Sequence, residues 1–140
     1  MKIDYNTTDF TSLKTSELKR LADYWFRKYL LSKAEKNGAN KIYCPLTKKW
    51  YKEDKMHVCH YIDRIILKTR YSEDNCILGS SYSNTYEAQV PKEGYKSLHH
   101  YRLEEFLGSK KIKKLLQESK DIIIFAREDY INLINKFRNE

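Results

Sequence analysis

The segment from Met56 to Ala88 constrains the fold more than any other part of this chain. Met56, Val58, His60 and Ile62 alternate along one face, the periodicity of a strand, with His60 near its end. The polar, charged run from Asp63 to Asn75 reads as a loop, and Cys76-Ile77-Leu78 as a short return strand. Gly79-Ser80-Ser81 then supplies a turn and a cap for a helix carrying Asn84, Tyr86 and Ala88. A strand, a loop, a return strand and a helix thus follow one another within this short span.

Helices flank it. Leu18, Leu21, Ala22, Trp25 and Tyr29 follow helical spacing between Ser12 and Asn37, with Ser12 or Thr15 as the cap and Asn37-Gly38 as the stop. Ile42-Tyr43 and Trp50-Tyr51 surround Pro45-Leu46-Thr47-Lys48-Lys49, which reads as a hairpin with a basic turn. Pro91-Lys92-Glu93-Gly94 breaks the chain. Leu98, Tyr101, Leu103, Phe106 and Leu107 then predict a helix ended by Gly108, followed by a short one around Ile112 to Leu116. A last helix over Arg127 to Phe137 turns Tyr130, Ile134 and Phe137 inward, while Ile122-Ile123-Ile124-Phe125 fits either a strand or a helix start. The expected class is α+β in one domain of 140 residues: an N-terminal helix in 1–40, a ββα core in 41–90 and a helical extension in 91–140.

Charge narrows the partner. Lys and Arg number 27 against 19 Asp and Glu, and residues 41–70 hold eight basic and three acidic side chains, five of the eight net charges. Such a local excess suits phosphate. Cys44, Cys59 and Cys76 are odd in number and contain no Cys-x-x-Cys pair, which argues against a disulfide framework and for a reducing compartment. Met1 to Phe10 is polar, and no stretch approaches the apolar length of a membrane span. The expectation is a soluble, cytoplasmic protein.

His60, Asn75 and Asn84 are separated by fourteen and eight intervening residues. Phosphodiester hydrolysis needs a base for water, a rigid group to aim that base, and a hard oxygen ligand for a divalent cation; a histidine and two carboxamides can supply all three. The spacing is that of HNH nucleases. Cys59-His60-Tyr61-Ile62-Asp63-Arg64, Thr69-Arg70-Tyr71-Ser72-Glu73-Asp74-Asn75 and Asn84 resemble the lambdoid phage NinG (Rap) proteins, recombination endonucleases acting on branched DNA. Tyr101, Phe106-Leu107-Gly108 and Ile112 to Leu116 are similar to that family's tail, so the likeness runs from about Trp25 to Asn139.

The resemblance implies a ββα-metal (His-Me finger) HNH core. It implies His60 as general base, Asn75 as the residue fixing the loop and the base, and Asn84 as ligand of one Mg²⁺ or Mn²⁺ per active site, with His57 as a second candidate ligand. It implies Arg64 and Arg70 on the scissile or adjacent phosphate, with Lys48, Lys49, Lys52 and Lys68 extending that surface. The implied substrate is branched DNA such as a Holliday junction, whose symmetrical cutting takes two active sites and therefore allows for a homodimer. For a phage-encoded protein the compartment is the host bacterial cytoplasm. The family's two Cys-x-x-Cys knuckles are here Cys44-Pro45-Leu46-Thr47 and Ser80-Ser81-Tyr82-Ser83, so no structural zinc is expected, and packing by Trp50, Tyr51, Tyr82 and the first helix is expected to replace it. Cys59 stands where many HNH nucleases have a metal-binding Asp, and thiolate is a poor partner for a hard cation. The alternatives are a DNA-binding protein descended from such a nuclease, its catalysis decayed, and a sequence-selective nicking or homing HNH enzyme.

Overall fold

A computed structural model of the chain describes residues 2–85, 87–89 and 96–139; the expected break at 91–94, and Tyr86, lie outside the described residues. The architecture is mixed α and β, with two two-stranded antiparallel sheets among helices. None of the helices is long and apolar enough to cross a membrane among the described residues. The chain divides into two compact units, Met1–Lys33 with Ile124–Glu140, and Ala34–Ile123.

The first unit pairs the two ends of the chain. Helix α1, Thr15–Lys33, begins with a capping arrangement that uses no hydroxyl: the Glu17 carboxylate accepts the Lys14 N–H at 3.0 Å. It buries Leu18, Leu21, Ala22, Phe26 and Leu31. Phe26 and Leu31 take the inner positions expected of Trp25 and Tyr29, which are half-buried. Helix α6, Arg127–Asn139, buries the expected Tyr130, Ile134 and Phe137. Phe26 and Phe137 meet with ring centroids 4.9 Å apart, and Arg127 donates to the carbonyls of Phe10 and Leu13.

The second unit holds both two-stranded sheets. Strands β1, Ile42–Cys44, and β2, Lys49–Tyr51, form the expected hairpin, with Tyr43 opposite Trp50. Strands β3, Met56–His60, and β4, Cys76–Ser80, pair antiparallel with His60 opposite Cys76. The loop between them contains a turn of helix, α2, Leu67–Arg70. Helix α3, Ser81–Thr85, follows β4 without a break, because Ser80 is both the last strand residue and the cap: its Oγ accepts the Ser83 N–H at 3.2 Å. Helices α4, Leu98–Leu107, and α5, Ser109–Glu118, complete the unit; Ser97 caps α4, and Gly108, at a φ of 83°, separates the two.

Packing at the knuckle positions departs from expectation. Trp50 and Tyr82 are about half exposed, so these two do not replace a zinc by burial, while Tyr51 is half-buried. Hydrogen bonds occupy the place instead. Cys44 Sγ accepts the N–H groups of Thr47 at 3.4 Å and Ser80 at 3.2 Å, and Ser83 Oγ meets His99 Nδ1 at 2.9 Å. Burial works against ionising Cys44, yet these donors together hold its thiol below the ordinary value.

Candidate functional site

The loop between β3 and β4 has to satisfy its own backbone polar groups, and one side chain organises it. Asn75 is almost fully buried. Its Oδ1 accepts the Ile62 N–H at 2.7 Å, while its Nδ2 donates to the carbonyls of Ile62 and Thr69, both at 3.1 Å. Its own carbonyl accepts the Tyr61 N–H at 3.0 Å. One carboxamide thus ties the loop's entrance to its far end, with the donor and acceptor each used where only that kind of group fits.

What the tie positions is the backbone of Arg70, next to Thr69. His60 Nε2 lies 2.9 Å from the Arg70 carbonyl oxygen. A carbonyl only accepts, so Nε2 carries the proton and the basic lone pair of the neutral ring is on Nδ1. The Cys76 thiol donates to the same carbonyl at 3.4 Å; its ionisation is pushed upward by burial and by Cys59, so it stays a neutral donor. Arg70 itself is 7% exposed and its Nη1 donates to the Arg64 carbonyl at 2.8 Å. This bond makes Arg70 a brace of the loop, at a position where the family resemblance expects a phosphate contact. Arg64, Lys48, Lys49, Lys52 and Lys68 are exposed.

A second pairing joins β3 to α3. Asn84 Nδ2 lies 3.3 Å from His57 Nδ1. An amide nitrogen only donates, so His57 accepts at Nδ1 and the Asn84 carbonyl oxygen is turned away from that ring. Compared with known protein families, curated proteins and solved structures, the chain matches none of them.

The donor chemistry sets what ion this region suits. Burial, with Cys44 second, pushes the Cys59 thiol up to about 12, and a thiol is a poor partner for a hard cation. His57 Nδ1 is engaged by Asn84. Among the described residues no group of three or more His, Cys, Asp or Glu is arranged to hold a metal. Mg²⁺ is usually held by one or two carboxylates together with waters and substrate phosphates, whereas the Asn84 amide offers one neutral oxygen.

Two contacts were not legible beforehand. His99 is buried against Ser83, and burial lowers its pKa. His100 stacks on Tyr61, the residue after His60, with centroids 4.8 Å apart. Neither position carries a periodic signal that separates it from a surface histidine.

Proposed function

We propose that the protein is a divalent-metal-dependent DNA endonuclease with an HNH (ββα-metal) core, acting on branched recombination intermediates such as Holliday junctions. The observation that supports it most is the fixed tautomer of His60: a ring protonated on Nε2 by its bond to the Arg70 carbonyl is a base at Nδ1. His60 takes a proton from water there. The hydroxide attacks phosphorus in line, the bond to the 3′ oxygen breaks, and the leaving oxygen gains its proton from solvent. Asn75 keeps the Arg70 carbonyl in place and so acts as a positioning residue. The Asn84 carbonyl would hold the Mg²⁺ or Mn²⁺, with His57 orienting that amide. When bound, such an ion stabilises charge on the phosphate and the leaving oxygen. Arg64, Lys48, Lys49, Lys52 and Lys68 contact phosphates without reading sequence. The branched substrate, and a homodimer for symmetrical cutting, follow from the family resemblance.

The test is cleavage of labelled four-way, three-way and linear DNA with Mg²⁺ or Mn²⁺, comparing the wild type with His60→Ala. The expected result is metal-dependent cutting of branched DNA that falls by at least about 10²-fold in the variant. Cys59, a neutral thiol where a carboxylate ligand is usual, favours one rival reading, a DNA-binding protein with decayed catalysis. Tight binding by both proteins with no cutting by either would establish that rival.

A further inference from the structure

The β1–β2 hairpin displays two large aromatic rings to water. Alternation puts Ile42 and Cys44 inward, and Leu46 anchors the turn at 4% exposure. Tyr43 and Trp50, directly opposite one another, therefore face outward at 41% and 45% exposure. Their centroids are 5.3 Å apart with the ring planes at 62°. Such a cross-strand pair helps the hairpin, but a β-branched or smaller pair would do so without leaving an indole in solvent. The mounting is rigid. Lys48 N–H donates to the Cys44 carbonyl at 2.8 Å, Lys48 takes the left-handed conformation the turn requires at a φ of 60°, and the Thr47 and Tyr51 hydroxyls meet at 3.0 Å.

The hairpin segment itself is cationic. Lys41, Lys48, Lys49 and Lys52 lie on the hairpin or at its ends, and no acidic residue occurs from Lys41 to Lys52. Exposed aromatic faces among lysines are the composition of a surface for single-stranded nucleic acid, where rings take the bases and cations the phosphates. Bases inside a duplex are already stacked on their neighbours. Only strand ends, single strands and branch points offer an open face.

We propose that the Tyr43–Trp50 face of this hairpin is a stacking platform for an unstacked base at a DNA branch point, with Lys48, Lys49 and Lys52 on the adjoining phosphates. The inference rests on the DNA reading above and deepens it, because the platform supplies the preference for branched over linear substrate.

The test uses Trp50 as its own reporter. The chain has two tryptophans, and Trp25 donates its indole N–H to the Tyr5 carbonyl at 2.9 Å in the other unit. The full-length Trp25→Phe protein, with circular dichroism to check its fold, leaves Trp50 as the emitting residue. It is titrated with oligothymidylate, a four-way junction and linear duplex without divalent metal, so cutting plays no part. Saturable, salt-dependent quenching by oligothymidylate and by the junction is expected. Trp50→Ala and Tyr43→Ala, followed by anisotropy of labelled DNA, should weaken both complexes by roughly tenfold while changing duplex affinity little. Trp50→Phe should retain most of the affinity, and it carries the test if the alanine variant does not fold. The absence of quenching, or equal losses on duplex and junction, overturns the platform. Undiminished junction selectivity of cutting in Trp50→Ala overturns it too while leaving the nuclease reading intact. Selective quenching without any cutting supports the platform and counts against the nuclease.

Discussion

Asn75 makes its three side-chain hydrogen bonds with a donor on one side and an acceptor on the other, so size alone cannot replace it. Removing the amide in Asn75→Ala leaves the Ile62 N–H and the Ile62 and Thr69 carbonyls without their partner, and should cost about 2–4 kcal/mol in urea denaturation at neutral pH. Asn75→Asp has almost the same shape but turns an oxygen toward the two carbonyls, and should be at least as damaging. An aspartate variant as stable as the wild type would show that the Nδ2 bonds contribute little. The spacing of His60, Asn75 and Asn84 was readable in the sequence, and so was the order of strand, loop and helix that carries them. Their partners were not. Three of the groups that fix His60 and Asn75 are backbone carbonyls, those of Ile62, Thr69 and Arg70, and sequence records side-chain types rather than which carbonyl lies in reach. The burial of Arg70 was hidden for a related reason: arginine is usually exposed, and only the folded loop provides the Arg64 carbonyl that lets it be buried.

The elements of the second unit meet with little room to spare. A Cβ added at Gly79 on β4 would sit 2.8 Å from Cys59 Sγ on β3 and 3.1 Å from Leu46 Cδ1 in the β1–β2 turn. Gly79→Ala should therefore destabilise by about 1–3 kcal/mol, as overpacking does. Adding Cys59→Ala removes the closer obstacle, so the double variant should lose less than the two single losses together; strict additivity in thermal melts would refute the contact. The turn composition around Gly79 announced the strand-to-helix junction, but a glycine required by close approach looks the same in sequence as one required by a turn. Ser83 and His99 tie α3 to α4 in another way. Burial, opposed by Glu87 and assisted by His100 and Arg102, lowers the His99 pKa below 6.5, so the folded state favours the neutral ring. That stability is complete above pH 6.5 and is lost as pH falls through the folded value, because the unfolded chain takes up the proton more readily. Between about pH 7.5 and 5 the melting temperature of the wild type should fall more than that of His99→Gln, and parallel curves would remove His99 from the account.

At the scale of the whole molecule, the two ends of the chain form one unit and the segment between them forms the other. The apolar face of α6 was legible from Tyr130, Ile134 and Phe137, and α1 from Leu18, Leu21 and Ala22, yet helical periodicity defines a face without naming what covers it. The covering partner of α1 turned out to lie more than a hundred residues away, with Phe137 packed at 4.9 Å from Phe26 and 5.3 Å from Tyr29. This division makes a prediction about cooperativity. Phe137→Ala empties a buried aromatic site and should cost the first unit about 3–5 kcal/mol. The loss should stay local, because the second unit keeps its own buried set in Ile42, Cys44, Leu46, Met56, Cys59, Leu103 and Leu115. Hydrogen exchange of the variant should then show amides of α1 and α6 losing protection while those of β3 and β4 keep theirs. If the β3 and β4 amides open in step with α1, the two units unfold as one cooperative block. Protection retained in β3 and β4 means instead that the loop carrying His60, Asn75 and Arg70 is organised by contacts within residues 34–123 alone.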